Sequence, residues 1–585
     1  MRDSAMPLRI ERVNLSSENQ IVALSNNLSV IVGPNNVGKS ALLSHISRKL
    51  GEQPGNAPEH NPIVTSLDVI KPTMEEVEKR LTAIHAVRPP GQYPQGSFNE
   101  PSYLTRQGGT LFQSQLSNIL NQQAGSVGSL AQVFISHLAP EGRLGQLGNT
   151  TPPDLYNNPQ GSTPLQLMYE NRDLENRIAD LTVRAFGEPV TVNRHGGNQI
   201  GLHMGRPSAP EPPLGVKTEY QRQIMALPLA ADQGHGVQAF VGMLLVLATQ
   251  QYDVILVDEP EAFLHPPQAR LLGELFVEFS KSGSQVIVAT HSDDFLQGVV
   301  GSAGLAADVT VARLTRPERT TNAVAQVPPP AIRKLYEDPL LRFSNILAGI
   351  FYRGVVLCES ESDCRYYEAV LGYVISIEDG RSHPDLLFTQ CGGKDRFAKA
   401  VTALAGTRVP TAVIADIDLL ADPSKFRETL EALGGDYQQI ESDVTVLTSH
   451  VNQKTIEPDA TLARVKIIQV LDSLTGSTVS NTQANAIRQA IARVSGWKHV
   501  KANGRTAISS GNPTMAFDRI LAACQSVGLF LVPVGELERF HPEISNANKQ
   551  SWLREVFETS VYKSSHTSQQ FVEAVAGYIA ATQRQ

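Results

Sequence analysis

The chain has 585 residues and a formal net charge of −8, with 50 Lys and Arg against 58 Asp and Glu. This length exceeds what a single hydrophobic core supports, so we expect about three or four structural units. The acidic balance gives no global electrostatic reason to bind nucleic acid, and any such binding must be local. The four cysteines show no paired C-x-x-C spacing, which indicates neither a zinc site nor a disulfide framework.

The sequence also lacks the features of a membrane or secreted protein. No uninterrupted apolar run approaches the roughly 18 residues that a membrane helix needs. The N-terminal stretch MRDSAMPLRIERV has no apolar core of the kind found in signal peptides. We therefore expect a cytoplasmic protein.

The first motif is GPNNVGKS at residues 33–40, between a predicted strand at 28–32 and a predicted helix at 39–49. The spacing G-x-x-x-x-G-K-[ST] supplies glycines where backbone N–H groups approach phosphates, then a cation and a hydroxyl for magnesium. The helix N-terminus adds a favourable dipole for the phosphates. The motif predicts a nucleotide-phosphate site formed by Gly33, Pro34, Asn35, Asn36, Gly38, Lys39 and Ser40.

The segment 51–215 is rich in Pro, Gly, Gln and Asn, with helical patches between the loops. This composition is typical of insertions on a core and not of a separate enzyme. An ordered pattern then resumes, with a helix over 237–250, a strand at 253–257, a helix at 267–281 and a strand at 285–289. Strands that alternate with helices predict a parallel, doubly wound α/β sheet.

Two carboxylates and a histidine follow these later strands. Asp258 and Glu259 end the strand in DVILVDEP, at the edge where the carboxyl ends of a parallel sheet meet. Asp258 is the candidate magnesium ligand, and Glu259 the candidate to orient or deprotonate the attacking water. His291, in THSDD, follows the next strand and is placed to contact the terminal phosphate. A lone histidine after a strand is usually structural, but its order behind the other motifs favours a functional role.

These motifs resemble the ATP-binding-cassette (ABC) type of ATPase found in chromosome-maintenance and recombination proteins. In that superfamily two subunits enclose ATP, and the partner contributes a glycine-rich signature. The matching stretch here is ADQGHGVQAF, in which Gly234 and Gly236 open a helix in place of the common Ser-Gly-Gly. The resemblance implies ATP and Mg²⁺ as cofactors and a homodimer or higher homo-oligomer.

The second half of the chain alternates again between short apolar strands and helices. The predicted helices lie near 361–372 and 394–404, and the predicted strands at 354–359, 386–390, 411–416 and 529–534. Acidic residues follow these strands: Glu359, Asp363 one helical turn later, Asp416 and Asp418 as D-x-D, and Glu536 and Glu538 in GELE.

Carboxylates gathered at strand ends repel one another, and the usual compensation is a divalent metal, most often Mg²⁺ or Mn²⁺ with oxygen ligands. Two such ions activate water and stabilise the leaving oxygen of a phosphodiester. Asp416 and Asp418 share a face if the strand persists through them. Any one of these acids alone is better explained as a helix cap or a surface charge, so the prediction depends on their combination.

One further stretch, WKHVKANGR at 497–505, is locally basic and carries Lys498, Lys501 and Arg505. It is a candidate for local nucleic-acid contact. A solvated basic loop explains it at least as well.

The order of a strand-end Glu, GGK at 392–394, D-x-D and GELE resembles a topoisomerase-primase (Toprim) fold, which is Rossmann-like. An ABC-type ATPase followed by Toprim is similar to the OLD (overcoming lysogenization defect) family, which includes the nuclease subunit of the Gabija antiphage system. The resemblance implies an ATPase domain at 1–345, with the loop-rich insertions at 51–215, and a Toprim nuclease domain at 346–585.

The resemblance further implies a metal-dependent endonuclease in antiphage defence that is gated by the ATPase, and it favours DNA over RNA as the predicted substrate. A second defence-system protein is an implied partner, and a membrane is not. Family members place a catalytic lysine after the final acidic motif, for which Lys563 is the candidate and Lys549 the reserve. Ser360 stands where the family has glycine. The implied metal ligands are Glu359, Asp363, Asp416 and Asp418, with Glu536 and Glu538 as further ligands or their neighbours.

Two other functions stay open on these residues. The first is a Toprim ribonuclease that acts on RNA, because metal-assisted cleavage does not itself select the sugar. The second is an ATP-switched sensor or scaffold whose partner carries the catalysis. Comparing the cleavage of DNA with that of RNA distinguishes the ribonuclease from the leading interpretation. Absence of metal binding at the acids would favour the sensor or scaffold.

Overall fold

The structure is a computed structural model. Two compact units follow one another along the chain, Met1–Tyr336 and Glu337–Gln585, and each is described by itself. Among the helices that the structure describes, none combines the length and the apolar character that a bilayer crossing requires. The structure describes residues 8–18, 20–52, 62–83, 87–93, 96–104, 110–121, 125–153, 163–213, 218–302, 309–318, 320–328, 345–377, 383–458, 460–474, 478–544 and 548–583.

The first unit alternates strands and helices. Its strands are β1 (Arg9–Leu15), β2 (Ile21–Ala23), β3 (Leu28–Val32), β4 (Val64–Ile70), β5 (Val87–Arg88), β6 (Gly91–Tyr93), β7 (Gly96–Phe98), β8 (Ser102–Leu104), β9 (Thr110–Phe112), β10 (Ile135–Leu138), β11 (Val190–Asn193), β12 (Gly201–Met204), β13 (Val254–Asp258), β14 (Gln285–Ala289), β15 (Val309–Glu318) and β16 (Thr321–Val327). Its helices are α1 (Lys39–Leu50), α2 (Met74–Ala83), α3 (Gln113–Asn121), α4 (Ala131–Phe134), α5 (Pro140–Leu144), α6 (Pro164–Glu170), α7 (Arg172–Phe186), α8 (Glu219–Ala226), α9 (His235–Thr249), α10 (Pro266–Ser280) and α11 (Asp293–Gly301).

A six-stranded sheet in the order β10-β13-β14-β3-β15-β16 lies at the centre of the first unit. Neighbouring strands are parallel, except that β16 runs antiparallel to β15. Every residue of β3, β13 and β14 is buried, as is typical of parallel strands covered on both faces. The predicted α/β fold class is confirmed, and the carboxyl ends of these three strands meet at one edge of the sheet.

Part of the segment 51–215 belongs to the core, which corrects the prediction that it consists of insertions. β4 pairs antiparallel with β1 in a three-stranded sheet, and β10 pairs in parallel with β13 at the edge of the central sheet. Both strands stand among loops rich in turn-forming residues, so local composition concealed them. The strand β10 also leads directly into α5, which reaches the candidate ATP site.

The second unit is a smaller α/β structure. Its strands are β17 (Gly354–Cys358), β18 (Leu386–Gln390), β19 (Thr411–Ala415), β20 (Thr455–Ile456), β21 (Val494–Ser495) and β22 (Leu529–Leu531). Its helices are α12 (Glu361–Ile377), α13 (Phe397–Ala405), α14 (Pro423–Ala432), α15 (Glu441–Gln453), α16 (Ala460–Asp472), α17 (Asn481–Ala490), α18 (Gly496–Asn503), α19 (Asn512–Ser526), α20 (Lys549–Thr559) and α21 (His566–Thr582).

The central sheet of the second unit has four strands in the order β18-β17-β19-β22, and all of its pairings are parallel. Its hydrophobic core includes residues of α12, α20 and α21, where Tyr366, Tyr367 and Trp552 are buried. Between β19 and β22 the chain forms a helical insertion that runs from α14 to α19. This insertion separates two neighbouring strands of the sheet by more than a hundred residues of sequence, yet returns β22 beside β19.

Candidate functional site

The loop between β3 and α1 has the glycine-dependent backbone of a phosphate-binding loop. Gly33 and Gly38 have φ angles of 142° and 95°, and a Cβ atom at Gly33 would lie 2.1 Å from the carbonyl oxygen of Leu314. The ammonium of Lys39 donates hydrogen bonds to the carbonyl oxygens of Gly33 at 2.8 Å and of Pro34 at 2.9 Å. The lysine is thereby folded across the loop. The other predicted residues lie in the same loop or at the start of α1: Asn35, Asn36 and Ser40.

Replacement of Gly33 by alanine tests this loop. We expect Gly33→Ala to abolish ATP binding and to lower the free energy of unfolding by about 2–5 kcal/mol, because the methyl group meets the Leu314 carbonyl at a φ that alanine rarely adopts. Binding of a fluorescent ATP analogue and thermal unfolding measure the two effects. Gly145→Ala is the matched control, since its Cβ would meet no described atom within 4 Å. Equal losses in both variants would contradict the expectation.

The strand β13 ends at Asp258, the predicted magnesium ligand. Its side chain is buried, and the hydroxyl of Ser40 donates a hydrogen bond to it. Burial raises the pKa of Asp258, and the bond from Ser40 partly offsets that rise. The Oδ1 atom of Asp258 has no hydrogen-bond partner among the described residues. A buried, unsatisfied carboxylate oxygen beside a serine hydroxyl fits Mg²⁺, which prefers hard oxygen ligands.

Glu259 and His291, the predicted catalytic residues of the ATPase, lie against each other. The backbone of Glu259 is left-handed, with φ 46°, and its N–H donates to the carbonyl of Ala289 on β14 at 2.8 Å. Nδ1 of His291 lies 3.3 Å from Oε1 of Glu259 and 3.2 Å from Oε1 of Glu261. Glu261 is buried and also accepts a hydrogen bond from the backbone N–H of His291 at 3.0 Å. Sequence analysis did not single out Glu261, which holds the histidine beside Glu259.

The glycines of the signature stretch lie at the N-terminus of α9, where Gly234 is the N-cap and Gly236 is in the first turn. A Cβ atom at Gly236 would lie 2.8 Å from the carbonyl oxygen of Phe263. The ring of Phe263 in turn packs edge-on against His235, with ring centroids 5.3 Å apart. The start of α9 is therefore in close contact with the segment that follows Glu259.

Three acids of the second unit meet at the carboxyl ends of its central strands. Glu359 follows β17 and Asp416 follows β19, and these are adjacent parallel strands. One carboxylate oxygen from each of Glu359, Asp416 and Asp418 lies within 4.8 Å of the others. The condition stated for the D-x-D pairing, a strand that persists through both acids, is not met, because the strand ends at Ala415 and a 3-10 turn over Ile417–Ala421 carries Asp418. Glu359, Asp416 and Asp418 are named the acid cluster.

Two lysines offset part of the negative charge of the acid cluster. Nζ of Lys501 lies 2.9 Å from Oδ2 of Asp416 and 3.2 Å from Oδ2 of Asp418, and Nζ of Lys394 lies 3.2 Å from the same Asp418 oxygen. Burial and the charge of Glu359 raise the pKa of Asp416 to about 7, although Lys501 acts in the opposite direction. Oδ1 of Asp418 is buried and has no partner among the described residues. Convergent carboxylates with one unsatisfied oxygen fit a divalent cation with oxygen ligands.

The other predicted acids lie around the acid cluster and not within it. Asp363, in the first turn of α12, accepts hydrogen bonds from the N–H of Ser360 at 2.9 Å and from its hydroxyl at 2.7 Å. It also pairs with Lys549 at 2.7 Å. The Ser360 hydroxyl thus supplies a bond that glycine would not. Glu536 and Glu538 lie in the loop after β22, where burial raises the pKa of Glu536 and the charge of Glu538 raises it further.

Lys563, the predicted catalytic lysine, does not lie at the acid cluster. Its Nζ atom is 5.6 Å from the ring centroid of Tyr562 and 5.9 Å from that of Tyr373, so the ammonium packs against aromatic faces. Tyr373 lies about 15 Å further along α12 than Asp363, at 1.5 Å per residue. The reserve candidate, Lys549, is the late lysine that the structure places beside Asp363.

Replacement of Lys501 by methionine tests whether this lysine stands in for a metal ion. We expect Lys501→Met to lower the metal-free free energy of unfolding by about 1–3 kcal/mol, because Asp416 and Asp418 lose their counter-charge. We expect the Kd for Mn²⁺ to fall by about tenfold, because the cation no longer displaces an ammonium. Calorimetric titration with Mn²⁺ measures the change in metal affinity, and thermal unfolding measures the change in stability.

The matched control is Lys454→Met, because Lys454 belongs to the same helical insertion but donates to Ala507 and Ser509. Unchanged or weaker Mn²⁺ binding in Lys501→Met would contradict the competition between lysine and metal.

Comparisons with known proteins support the candidate ATP site of the first unit. A family model described as an AAA domain, putative AbiEii toxin, Type IV TA system, matches residues 224–296. That range contains α9, β13 with Asp258 and Glu259, and β14 with the following His291. The match supports an ATPase domain, with nucleotide binding, in the first unit.

Solved structures with similarity include SMC head domains. One bound to the C-winged helix domain of ScpA has 16% identity and a TM-score of 0.33, over 54% of this chain and 97% of that chain. The SMC head domain from Thermotoga maritima has 15% identity and a TM-score of 0.28, over 55% and 99%. At these TM-scores the strand order described above, and not the comparison, defines the fold.

A curated relative connects the chain to nucleases. The Old nuclease of Escherichia phage P2 is 25% identical over 204 residues, which is 32% of this chain and 33% of that protein. The chain thus matches about a third of the length of this relative. The resemblance that the motifs predicted is confirmed at this level: the chain is similar to an OLD-family nuclease and carries a match to an ATPase domain family.

Proposed function

We propose that this protein is an ATP-hydrolysing, divalent-metal-dependent endonuclease of the Toprim type that cleaves DNA, and that its ATPase gates its nuclease. The observation that carries the proposal is the acid cluster. Three carboxylates converge at the ends of adjacent parallel strands, and a buried oxygen of Asp418 has no described partner. Lys501 and Lys394 offset part of this negative charge in the structure. A divalent cation bound at the same place would offset it in the same way.

In the nuclease half, Glu359, Asp416 and Asp418 would hold the metal. A divalent ion bound there supplies an activated water and stabilises the leaving oxygen of a phosphodiester. Lys549 is held beside the site by its ion pair with Asp363 and is the better candidate to stabilise negative charge on the scissile phosphate. Lys501 keeps the aspartates together before the metal binds.

In the ATPase half, Lys39 and the loop glycines would bind the ATP phosphates, and Ser40 with Asp258 would hold Mg²⁺. Glu259 orients the attacking water, and His291 positions the Glu259 carboxylate through its own contact with Glu261. The exposed N-terminus of α9, with Gly234 and Gly236, would complete the site of a partner subunit, so the proposed active form is a homodimer or a higher homo-oligomer.

The proposed setting is antiphage defence, with a second defence-system protein as partner. Its support is the similarity to the Old nuclease together with the pairing of an ATP switch and a nuclease in one chain. ATP binding then either restrains or licenses cleavage.

Cleavage of supercoiled plasmid and of a structured RNA by the purified protein tests the proposal. The reactions contain Mg²⁺ or Mn²⁺, each with and without ATP. We expect metal-dependent nicking of the plasmid that EDTA abolishes, and a cleavage rate that changes with ATP. Cleavage of the RNA but not of the plasmid would mean that the substrate is RNA and not DNA. Intact ATP hydrolysis without cleavage of either substrate would favour a switch whose partner carries the catalysis.

A further inference from the structure

A fully buried arginine lies behind the candidate ATP site. Arg143 belongs to α5, which follows the edge strand β10, and its side chain is fully shielded from solvent. Burying a guanidinium is unfavourable unless other groups compensate its charge and its hydrogen bonds. The groups around it therefore indicate why the fold retains it.

The guanidinium of Arg143 holds the backbone of the loop between β13 and α10, which carries Glu259. Its Nη1 donates a hydrogen bond to the carbonyl oxygen of Glu259 at 2.9 Å. Glu259 has the left-handed φ of 46°, a conformation that is strained for a residue other than glycine. Since Ala289 accepts from the N–H of Glu259 at 2.8 Å, the strained residue is held from both of its peptide groups.

The charge of Arg143 also faces the carboxylates of this loop. Asp258, Glu259 and Glu261 all interact electrostatically with the guanidinium. Nε and Nη2 of Arg143 have no hydrogen-bond partner among the described residues, and neither do the buried Oδ1 of Asp258 and Oε2 of Glu261. The positive charge of Arg143 therefore faces these three carboxylates, and its Nη1 supplies the described hydrogen bond to the Glu259 carbonyl.

The same residue is fixed against α9, the helix that begins with the signature glycines. Nη1 of Arg143 lies 3.4 Å from Sδ of Met243. A Cβ atom at Gly242 would lie 2.5 Å from the backbone oxygen of Arg143, so glycine allows α5 and α9 to touch. The Arg143 side chain thus connects α9 to the carbonyl of Glu259. Because these contacts are closely packed, a displacement of α9 would move Glu259 as well.

We propose that Arg143 is a positioning residue that couples α9 to Glu259, so that the rate of ATP hydrolysis depends on whether a second copy of this chain is docked on the N-terminus of α9. This inference rests on the proposed ATPase activity and on the dimeric site. Among the described residues, the hydrogen bonds of the Arg143 side chain go to the carbonyl of Glu259 and to Met243, and none goes to the phosphate loop. Its main effect is therefore on turnover and not on ATP affinity.

The test compares Arg143→Met with Arg143→Lys and wild type in the full-length chain. We expect Arg143→Met to lower the kcat of ATP hydrolysis by about 30-fold, because small displacements of a catalytic group have effects of this order. We expect the KM for ATP, the Kd for a fluorescent ATP analogue and the ATP-induced dimer fraction in sedimentation to change less than about twofold. Arg143→Lys keeps the positive charge and an N–H donor group, and it recovers part of kcat.

The matched control is Arg194→Met, because Arg194 is nearly as buried and pairs with Glu175 in the same unit, away from this loop. Its kcat stays at the wild-type value. A wild-type kcat in Arg143→Met, or a loss of ATP binding in parallel with kcat, overturns the coupling role. If Arg143→Met does not fold, the same comparison of kcat with Kd in Arg143→Lys decides. A wild-type protein that binds ATP without hydrolysing it would instead overturn the proposed ATPase.

Discussion

Replacement of Asp416 by asparagine is expected to lower metal-dependent DNA cleavage by at least about a thousandfold and to leave ATP hydrolysis unchanged. Asp416 is the most buried member of the acid cluster, and its Oδ2 atom already attracts a cation, Lys501, at 2.9 Å. The amide keeps the shape of the side chain but removes the negative charge, so metal affinity falls. Plasmid nicking rates and calorimetric titration with Mn²⁺ measure the two losses.

The matched control for Asp416→Asn is Asp518→Asn. Asp518 belongs to the same unit but pairs with Arg505 on an exposed face of the helical insertion. We expect this control to keep wild-type cleavage and metal affinity. Cleavage by Asp416→Asn within tenfold of wild type would remove the acid cluster from the catalytic role, whatever the ATPase does.

Replacement of Glu259 by glutamine is expected to lower the kcat of ATP hydrolysis by about 100- to 1,000-fold while ATP binding is retained. The reason is local: Glu259 follows Asp258, the proposed magnesium ligand, its carboxylate lies against His291, and its backbone is strained. Single-turnover hydrolysis and binding of a fluorescent ATP analogue separate chemistry from affinity. The ATP-bound state then persists, so sedimentation in ATP should show more dimer than in wild type.

The same Glu259→Gln variant shows whether ATP inhibits or activates the nuclease. If ATP restrains the nuclease, plasmid cleavage in the presence of ATP stays low in Glu259→Gln and recovers as wild type consumes ATP. If ATP licenses the nuclease, the variant cleaves at least as fast as wild type. The control is Glu274→Gln on α10, since Glu274 is exposed and contacts only Arg184 at 3.7 Å among the described ion pairs. Hydrolysis by Glu259→Gln at the wild-type rate would contradict the assigned role.

The features that sequence analysis predicted are those determined by short stretches of chain. The strands at Leu28–Val32 and Leu386–Gln390 were predicted residue for residue, because both are apolar runs bounded by turn-forming or charged residues. The acids Glu359 and Asp416 were predicted to approach each other because parallel strands end at one edge of a sheet. The α/β class followed from the same alternation, and it is confirmed.

The features that sequence analysis missed depend on contacts between distant segments. Lys501 reaches Asp418 across 83 positions of sequence, through an insertion whose packing no local pattern reveals. Arg143 meets Glu259 across 116 positions and lies in a segment that composition marked as loop. Lys563 was selected by its place in the chain, but the rings of Tyr562 and Tyr373 hold it elsewhere. The signal available for Lys501 was its basic stretch, for which the sequence offered nucleic-acid contact or a solvated loop but no pairing with the acids.

The position of β3 in the central sheet has a consequence for biosynthesis. The strand that carries the phosphate-binding loop ends at Val32, but the strands that flank it, β14 and β15, begin only at Gln285 and Val309. At 5–20 residues per second, a ribosome needs roughly ten to fifty seconds to supply the first of these neighbours. Until then the nascent chain has its nucleotide motif but no sheet to hold it. We expect truncated translation products to be chaperone clients that cannot capture ATP, so the switch comes into being only when almost the whole ATPase has emerged.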